Sequence, residues 1–147
     1  MKDRPTNSSI CDYKETLSAA GLQVSAPRLA IASYVMNTQS HPTAEEVKDQ
    51  VEKFFPTVSL ATVYNTLNIF VEKGLLNSLK DQDSGTIRYD CNTSPHFHFI
   101  DEDSGKIYDV SEDVVKVSTN AKYLNQEFEV SSIDVTLRGK FKKPKKG

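Results

Sequence analysis

The sequence contains little cysteine and no tryptophan. Its 147 residues include two cysteines, Cys11 and Cys91, which are far apart and form no CxxC pair. A zinc site built from thiolates therefore lacks enough sulfur, and a disulfide is not expected in a reducing compartment. No stretch approaches the ~18 apolar residues of a membrane span, and residues 1–7 lack the apolar core of a signal peptide. We therefore expect a cytoplasmic protein without membrane contact.

An excess of positive charge is also missing. The formal net charge is −2, from 18 Lys and Arg against 20 Asp and Glu. Composition therefore gives no support for nucleic-acid binding, and any DNA-binding face must come from the local placement of charge. The hydrophobic fraction of 37% and the charged fraction of 26% are typical of a soluble globular protein.

The first part of the chain carries helix signals followed by a predicted hairpin. Ser25, Thr43 and Ser59 are each placed to cap a helix, and Glu46 lies three residues after Thr43, which makes a capping box. Four helices are predicted over residues 11–20, 26–36, 44–54 and 60–73, and two strands over 75–80 and 86–90. This order favours a winged helix-turn-helix over residues 10–90. A generic four-helix core with an appended hairpin also fits the pattern.

The pattern changes after residue 90. Strands are predicted at residues 96–101 and 106–110, a helix at 112–125, and a strand with a bulge at 127–137. The fold class is thus α+β, a winged helix-turn-helix followed by a small α/β domain at residues 91–138. A domain of about 50 residues has a small core, so pairing with a second copy is expected to cover its sheet edge. Residues 139–147 carry five lysines and no acid and are predicted to be a flexible basic tail.

All three histidines can be ligands of one metal ion. His96 and His98 alternate on a predicted strand and so share a face, whereas His41 lies 55 positions upstream. Asp90 and Asp109 lie in the strands before and after the pair, so an antiparallel arrangement brings both carboxylates to that face. Three imidazoles and two carboxylates suit Fe²⁺, Mn²⁺ or Zn²⁺. A histidine pair of this spacing also occurs for ordinary hydrogen-bonding reasons, and either aspartate alone is typical of a turn or a surface.

The helix predicted to begin after Ser59 has a polar face. Thr62, Tyr64, Asn65 and Asn68 lie where its apolar stripe is absent. Hydroxyl and amide groups of this kind bond to phosphates or base edges, and a helix N-terminus attracts phosphate. A merely solvated polar face is the alternative interpretation.

The chain resembles the ferric uptake regulator (Fur) superfamily of bacterial metal-dependent repressors. The matching stretches, in family order, are VSAPR from Val24, HPTAEEV from His41, FPTVSLATVYNTL from Phe55, RYD from Arg88, HFH from His96 and GKIYD from Gly105. The resemblance covers roughly residues 14–137 and implies a homodimer that binds a palindromic operator in double-stranded DNA. The regulatory ligands that it implies are His41, Asp90, His96, His98 and Asp109. The DNA contacts that it implies are Arg28, Ser59, Thr62, Tyr64 and Asn65, with Tyr64 the expected base contact.

Within the superfamily the chain looks most like the peroxide-stress regulator (PerR) branch. Asp109 stands where iron sensors tend to have Glu, and Asn65 stands where they often have Arg. This likeness implies Fe²⁺ or Mn²⁺ as the regulatory ion, with Zn²⁺ as a substitute. It also implies that peroxide oxidises His41 or His96, so that the ion and then the DNA are released.

One departure from that branch concerns zinc. Most peroxide regulators hold a structural zinc with two CxxC pairs, whereas here Asp101 and Ser104 occupy the positions of the first pair. The C-terminal tail has no cysteine. We therefore expect no structural zinc bound by four cysteines.

Three other functions compete with a peroxide-sensing repressor. An iron- or zinc-responsive repressor has the same fold, and a DNA-binding protein with a vestigial metal site would ignore the ion. A non-haem metal enzyme is disfavoured because five protein ligands leave little open coordination for a substrate. We therefore expect a regulator without enzymatic activity.

Overall fold

The computed structural model describes residues 10–143. The described residues form two compact units, the first ending at Thr93 and the second beginning at Ser94. No helix in the described part combines the length and apolar character that a bilayer crossing requires.

The described part of the first unit consists of four helices and a hairpin. The helices are α1 (Ile10–Ala19), α2 (Ala26–Val35), α3 (Ala44–Val51) and α4 (Leu60–Glu72). Strand β1 (Asn77–Lys80) pairs with β2 (Ile87–Asp90) in antiparallel register. The predicted winged helix-turn-helix architecture is confirmed, although α3 ends three residues earlier than expected.

Capping side chains determine where three of these helices begin. The hydroxyls of Ser25 and Ser59 accept backbone N–H groups in the first turns of α2 and α4. At α3 the capping box is complete, because Thr43 Oγ1 accepts from Glu46 N at 3.2 Å and Glu46 Oε2 accepts from Thr43 N at 3.1 Å. Each bond satisfies a backbone donor that the helix itself leaves open. All three predicted caps are confirmed.

The core of the first unit forms from the apolar faces of these helices. Fully buried side chains include Leu17, Ile31, Val47, Leu67 and Phe70, and Leu76 and Tyr89 join them from the hairpin region. Burying one such aliphatic or aromatic side chain contributes about 1.5–3 kcal/mol. Because Leu67 and Phe70 anchor one face of α4 in this core, the opposite face of that helix is directed outward.

The second unit is a small three-stranded sheet. Its strands are β3 (Phe97–Asp101), β4 (Ile107–Val110) and β5 (Thr136–Gly139), in the order β4-β3-β5. Strand β3 is antiparallel to β4 and parallel to β5. Among the described residues of this unit, only Phe97 and Asp101 are buried. The unit therefore has very little core of its own.

The segment between β4 and β5 differs from its prediction. The prediction of a single helix over residues 112–125 is wrong, because the chain forms a 3-10 turn at Glu112–Val114 and then a separate helix, α5 (Ala121–Glu127). Val115 is already extended, and the Asn120 side chain starts α5 by accepting from Tyr123 N. The strand expected over residues 127–137 is limited to β5, and residues 128–135 are irregular. Alternating apolar residues need a neighbouring strand to bury them.

Both hairpins close with the same sequence pattern, Asp-x-Asp-Ser-Gly. The backbone carbonyls of Asp81 and Asp101 each accept a hydrogen bond from the glycine N–H four residues later, at 2.8 and 2.7 Å. Those glycines have φ near 71°. In the second hairpin Asp101 Oδ2 also accepts from Ser104 Oγ at 2.5 Å. The Ser104 hydroxyl, helped by the backbone N–H groups of Asp103 and Ser104, lowers the pKa of the Asp101 carboxyl. Hydrogen bonds therefore close the turn that carries Asp101 and Ser104.

The beginning of the predicted basic tail packs on the sheet. Gly139 belongs to β5, and Lys140 Nζ lies 2.7 Å from Asp103 Oδ1. The Phe141 ring meets Phe99 and Tyr108 edge-on, at centroid distances of 5.1 and 5.2 Å. Residues 144–147 lie outside the described residues.

Candidate metal centre

His41 and Asp90 form a buried pair in the first unit. His41 Nε2 lies 3.6 Å from Asp90 Oδ2, and each residue is 3% exposed. His41 precedes the cap of α3, and Asp90 ends β2. A buried carboxylate is costly unless positive charge compensates it. The pair is therefore suited to a bound cation.

The backbone of His41 adopts a rare conformation. Its φ is 52°, in the left-handed region, which costs a residue other than glycine about 1–3 kcal/mol. Tyr89 N donates to Pro42 O at 2.9 Å, and Thr43 forms a β-bridge with Arg88. The turn is thus attached to β2, directly before the position from which Asp90 reaches the imidazole.

His96, His98 and Asp109 form a second set of ligand atoms, in the second unit. The register of β3 and β4 places His98 opposite Asp109. The Nε2 atoms of His96 and His98 are 2.9 Å apart, and Asp109 Oδ1 lies 3.3 and 3.7 Å from them. Donors about 2.1 Å from one ion lie about 3 Å or slightly more from each other. These three atoms therefore have the spacing of ligands around a divalent cation.

A backbone carbonyl fixes the tautomer of His96. Its Nδ1 lies 2.6 Å from Ser94 O, and a carbonyl oxygen can only accept a hydrogen bond. Neutral His96 therefore carries its proton on Nδ1 and presents an unprotonated Nε2 beside His98 and Asp109. Hydrogen bonds of this kind orient metal-binding histidines.

The five predicted ligands therefore fall into two sets, one in each unit. Each set offers imidazole nitrogen and carboxylate oxygen, the donor types that suit Fe²⁺, Mn²⁺ or Zn²⁺. The residues present therefore fit such an ion.

The polar face of α4, which is predicted to contact DNA, is partly exposed. Thr62, Asn65 and Asn68 are exposed, whereas the hydroxyl of Ser59 is used in the helix cap and lies 2.9 Å from Thr62 Oγ1. Ser59 therefore has a structural role in addition to any contact with a ligand. Outside α4, the Arg28 guanidinium donates to Gln23 O at 2.8 Å.

Glu45, on α3, contacts this face of α4, which the sequence did not reveal. Tyr64 is half-buried, and its hydroxyl donates to Glu45 Oε1 at 3.0 Å. The two residues are 19 positions apart, on α4 and α3, so no local pattern predicts their contact. The bond fixes the direction of the tyrosine ring.

Replacing Glu45 with glutamine is expected to lower the pKa of Tyr64 towards its ordinary value of about 10. The hydrogen bond to the Glu45 carboxylate raises the pKa of Tyr64, and an amide retains the bond without the charge. A pH titration of ¹³C-labelled tyrosine by NMR measures the shift. The control Glu52→Gln removes a charge from the same helical region, next to Lys48. Identical Tyr64 titrations in wild type and Glu45→Gln would contradict the contact.

Comparison with known proteins gives one family and several relatives. The model of the ferric uptake regulator family matches residues 19–138. The peroxide operon regulator of Bacillus subtilis (strain 168) is 43% identical over 95 residues, 65% of this chain and 65% of that protein. The chain thus spans just under two thirds of the length of this relative.

Two solved structures have a similar fold. The ferric uptake regulator of Vibrio cholerae matches with a TM-score of 0.70 at 27% identity, over 88% of this chain and 100% of that chain. The ferric uptake regulator of Pseudomonas aeruginosa, solved with manganese, matches with a TM-score of 0.65 at 26% identity, over 88% and 98%.

Proposed function

Because the chain belongs to the ferric uptake regulator family, whose members are transcriptional regulators rather than enzymes, we propose that it is a metal-dependent repressor. The observation that carries this proposal is the convergence of His96, His98 and Asp109, whose ligand atoms lie 2.9–3.7 Å apart. Such spacing is of little use to a DNA-binding protein that ignores metal. The protein would repress transcription when the ion is bound.

We propose that Fe²⁺ or Mn²⁺ is the regulatory ion, with Zn²⁺ as a substitute. His41 and Asp90 would bind it from the first unit, and His96, His98 and Asp109 from the second. The donor chemistry supports this choice, and the Pseudomonas aeruginosa relative was solved with manganese. Because the ligands belong to both units, binding would fix the angle between them. The ion favours that state only through its higher affinity for it.

The proposed partner is double-stranded DNA. The exposed side chains Thr62 and Asn65 lie near the N-terminus of α4, where backbone N–H groups attract phosphate. Tyr64 and Ser59 border them, and Arg28 would contact the phosphate backbone. In a dimer two such helices read half-sites about one DNA turn, roughly 34 Å, apart, so the operator would be palindromic.

A second copy of the chain is the proposed partner of the second unit. Among its described residues, side chains that are 49–66% exposed include Val114, Tyr123, Phe128, Val130 and Ile133. Apolar exposure of this extent is typical of an interface. Residues 128–135 alternate in the way that a strand does, and pairing with a second copy would give them a neighbouring strand.

We further propose that peroxide is the signal. The Bacillus subtilis relative is a peroxide operon regulator, and His41 and His96 are the imidazoles expected to react. Ferrous iron held by these residues would promote cleavage of the O–O bond of hydrogen peroxide, and the imidazole would supply the two electrons of the net reaction. In the net change one peroxide oxygen enters an imidazole C–H bond and the other leaves as water. An oxidised imidazole is a poor ligand, so the affinity for the ion, and then for DNA, would fall.

Removal of metal tests the repressor proposal directly. Duplexes selected from a random library in the presence of Mn²⁺ serve as operators, and fluorescence anisotropy measures their affinity. Saturating Mn²⁺ is expected to raise the affinity at least about 10-fold over metal-free protein, within the usual range of coupling between two sites. Equal affinity with Mn²⁺ and with a chelator would support a vestigial site instead.

A further inference from the structure

We propose that Arg88 is a positioning residue, which holds the metal ligand His41 in place through its backbone. The inference rests on the proposed ion site at His41 and Asp90, and it assigns a specific role to a residue that is not itself a ligand. It begins from the left-handed backbone of His41, with φ 52°. Such a conformation persists only where surrounding contacts hold it.

The guanidinium of Arg88 makes a side-chain contact to that backbone. Its Nη1 donates to His41 O at 3.1 Å, in a half-buried environment. The same nitrogen lies 3.6 Å from Glu46 Oε2, the oxygen that accepts from Thr43 N in the capping box. One cation therefore links the turn of His41 to the first turn of α3.

The neighbouring residues of β2 complete the attachment. Tyr89 N donates to Pro42 O at 2.9 Å, and Asp90 Oδ2 faces His41 Nε2 at 3.6 Å. Three consecutive residues of β2 thus hold the carbonyl of His41, the carbonyl of Pro42 and the imidazole. Without Arg88 the His41 carbonyl loses this donor, and the turn is free to relax towards a more common conformation.

Charge alone predicts the opposite effect from positioning. A guanidinium near a cation repels it, so its removal would increase metal affinity if Arg88 acted only through its charge. If Arg88 acts by holding His41, its removal weakens binding despite the relief of repulsion. Whether metal affinity rises or falls on removal of the guanidinium therefore distinguishes charge repulsion from positioning of His41.

The test uses Arg88→Met in the full chain, since methionine keeps part of the apolar stem and loses the guanidinium. Mn²⁺ affinity measured by calorimetry is expected to fall about 10- to 100-fold, the usual effect of losing a residue that orients a metal ligand. Arg88→Lys is expected to give an intermediate value, because a single nitrogen makes both contacts. The matched control is Lys48→Met, which removes a cation that pairs with Glu52 at the surface. It is expected to leave the Mn²⁺ affinity unchanged.

Two further measurements separate this inference from the proposed site. In metal-free protein, hydrogen exchange at the Tyr89 amide is expected to accelerate in Arg88→Met, because its acceptor lies in the released turn. In a His41→Ala background, Arg88→Met is expected to cause no further loss of Mn²⁺ affinity. If His41→Ala alone leaves the affinity unchanged, the proposed site fails. If His41→Ala weakens binding but Arg88→Met leaves affinity and exchange unchanged, or tightens binding, the role of Arg88 is overturned.

Discussion

Replacement of Asp109 with alanine is expected to abolish the dependence of operator binding on metal. Asp109 Oδ1 is the carboxylate oxygen 3.3 and 3.7 Å from the Nε2 atoms of His96 and His98. Loss of a residue that only orients a ligand costs about 10- to 100-fold in metal affinity, so loss of a ligand is expected to cost at least about 100-fold. At fixed Mn²⁺, the operator affinity of the variant should equal that of the metal-free wild type.

The fold is expected to survive this substitution. The side chain of Asp109 is 34% exposed, so its removal opens no buried cavity. Asp103→Ala is the matched control, because it removes an aspartate from the turn between β3 and β4, where it pairs with the exposed Lys140. Exposed ion pairs of this kind contribute little to stability. The Mn²⁺ affinity of Asp103→Ala should therefore equal that of the wild type. Asp109→Ala protein that still bound its operator only with Mn²⁺ would refute the assignment of this ligand.

Hydrogen peroxide is expected to release the Fe²⁺-loaded protein from its operator completely, and to leave the Mn²⁺-loaded protein bound. The difference arises because Mn²⁺ does not readily reduce peroxide, whereas Fe²⁺ does. Each released chain should carry one added oxygen on His41 or His96. Anisotropy measures the release, and mass spectrometry measures the oxygen. Release of both forms at equal rates would show that iron chemistry is not the signal.

The position of the added oxygen must be read from fragment ions. Cleavage at Lys and Arg gives a peptide of residues 29–48 that contains both Met36 and His41, and one of residues 89–106 that contains Cys91 together with His96 and His98. Methionine and cysteine gain oxygen as well, so intact peptide masses do not identify the residue. The Mn²⁺-loaded protein treated in parallel gives the background oxidation of Met36 and Cys91. Oxygen confined to those two residues in the iron form would exclude peroxide sensing by histidine.

Local signals in the sequence predict much of the first unit. Ser25, Thr43 and Ser59 cap helices because a short polar side chain can reach the N–H group three residues ahead, a contact that depends on neighbouring residues alone. The pairing of His98 with Asp109 follows similarly from two short strands joined by a tight turn. These features need no knowledge of distant parts of the chain.

Contacts between distant residues were not predictable in the same way. Glu45 and Tyr64, and likewise Arg88 and His41, meet only after the helices and the hairpin have packed. The left-handed backbone of His41 is also not predictable from the sequence, because the residue before a proline favours extended backbone. The strand predicted over residues 127–137 rests on alternation alone, and alternation cannot say whether the neighbouring strand belongs to the same chain.

The turn at Asp101 and Ser104 has a practical consequence for counting ions. Asp101 and Ser104 occupy the positions of the first CxxC pair of most peroxide regulators, and here a hydrogen bond of 2.5 Å between Ser104 Oγ and Asp101 Oδ2 closes the turn. The sequence has no cysteine after Cys91. We expect one equivalent of ion per chain at saturation. Elemental analysis of the purified protein would then report the loading of the sensor directly, with no constant background to subtract.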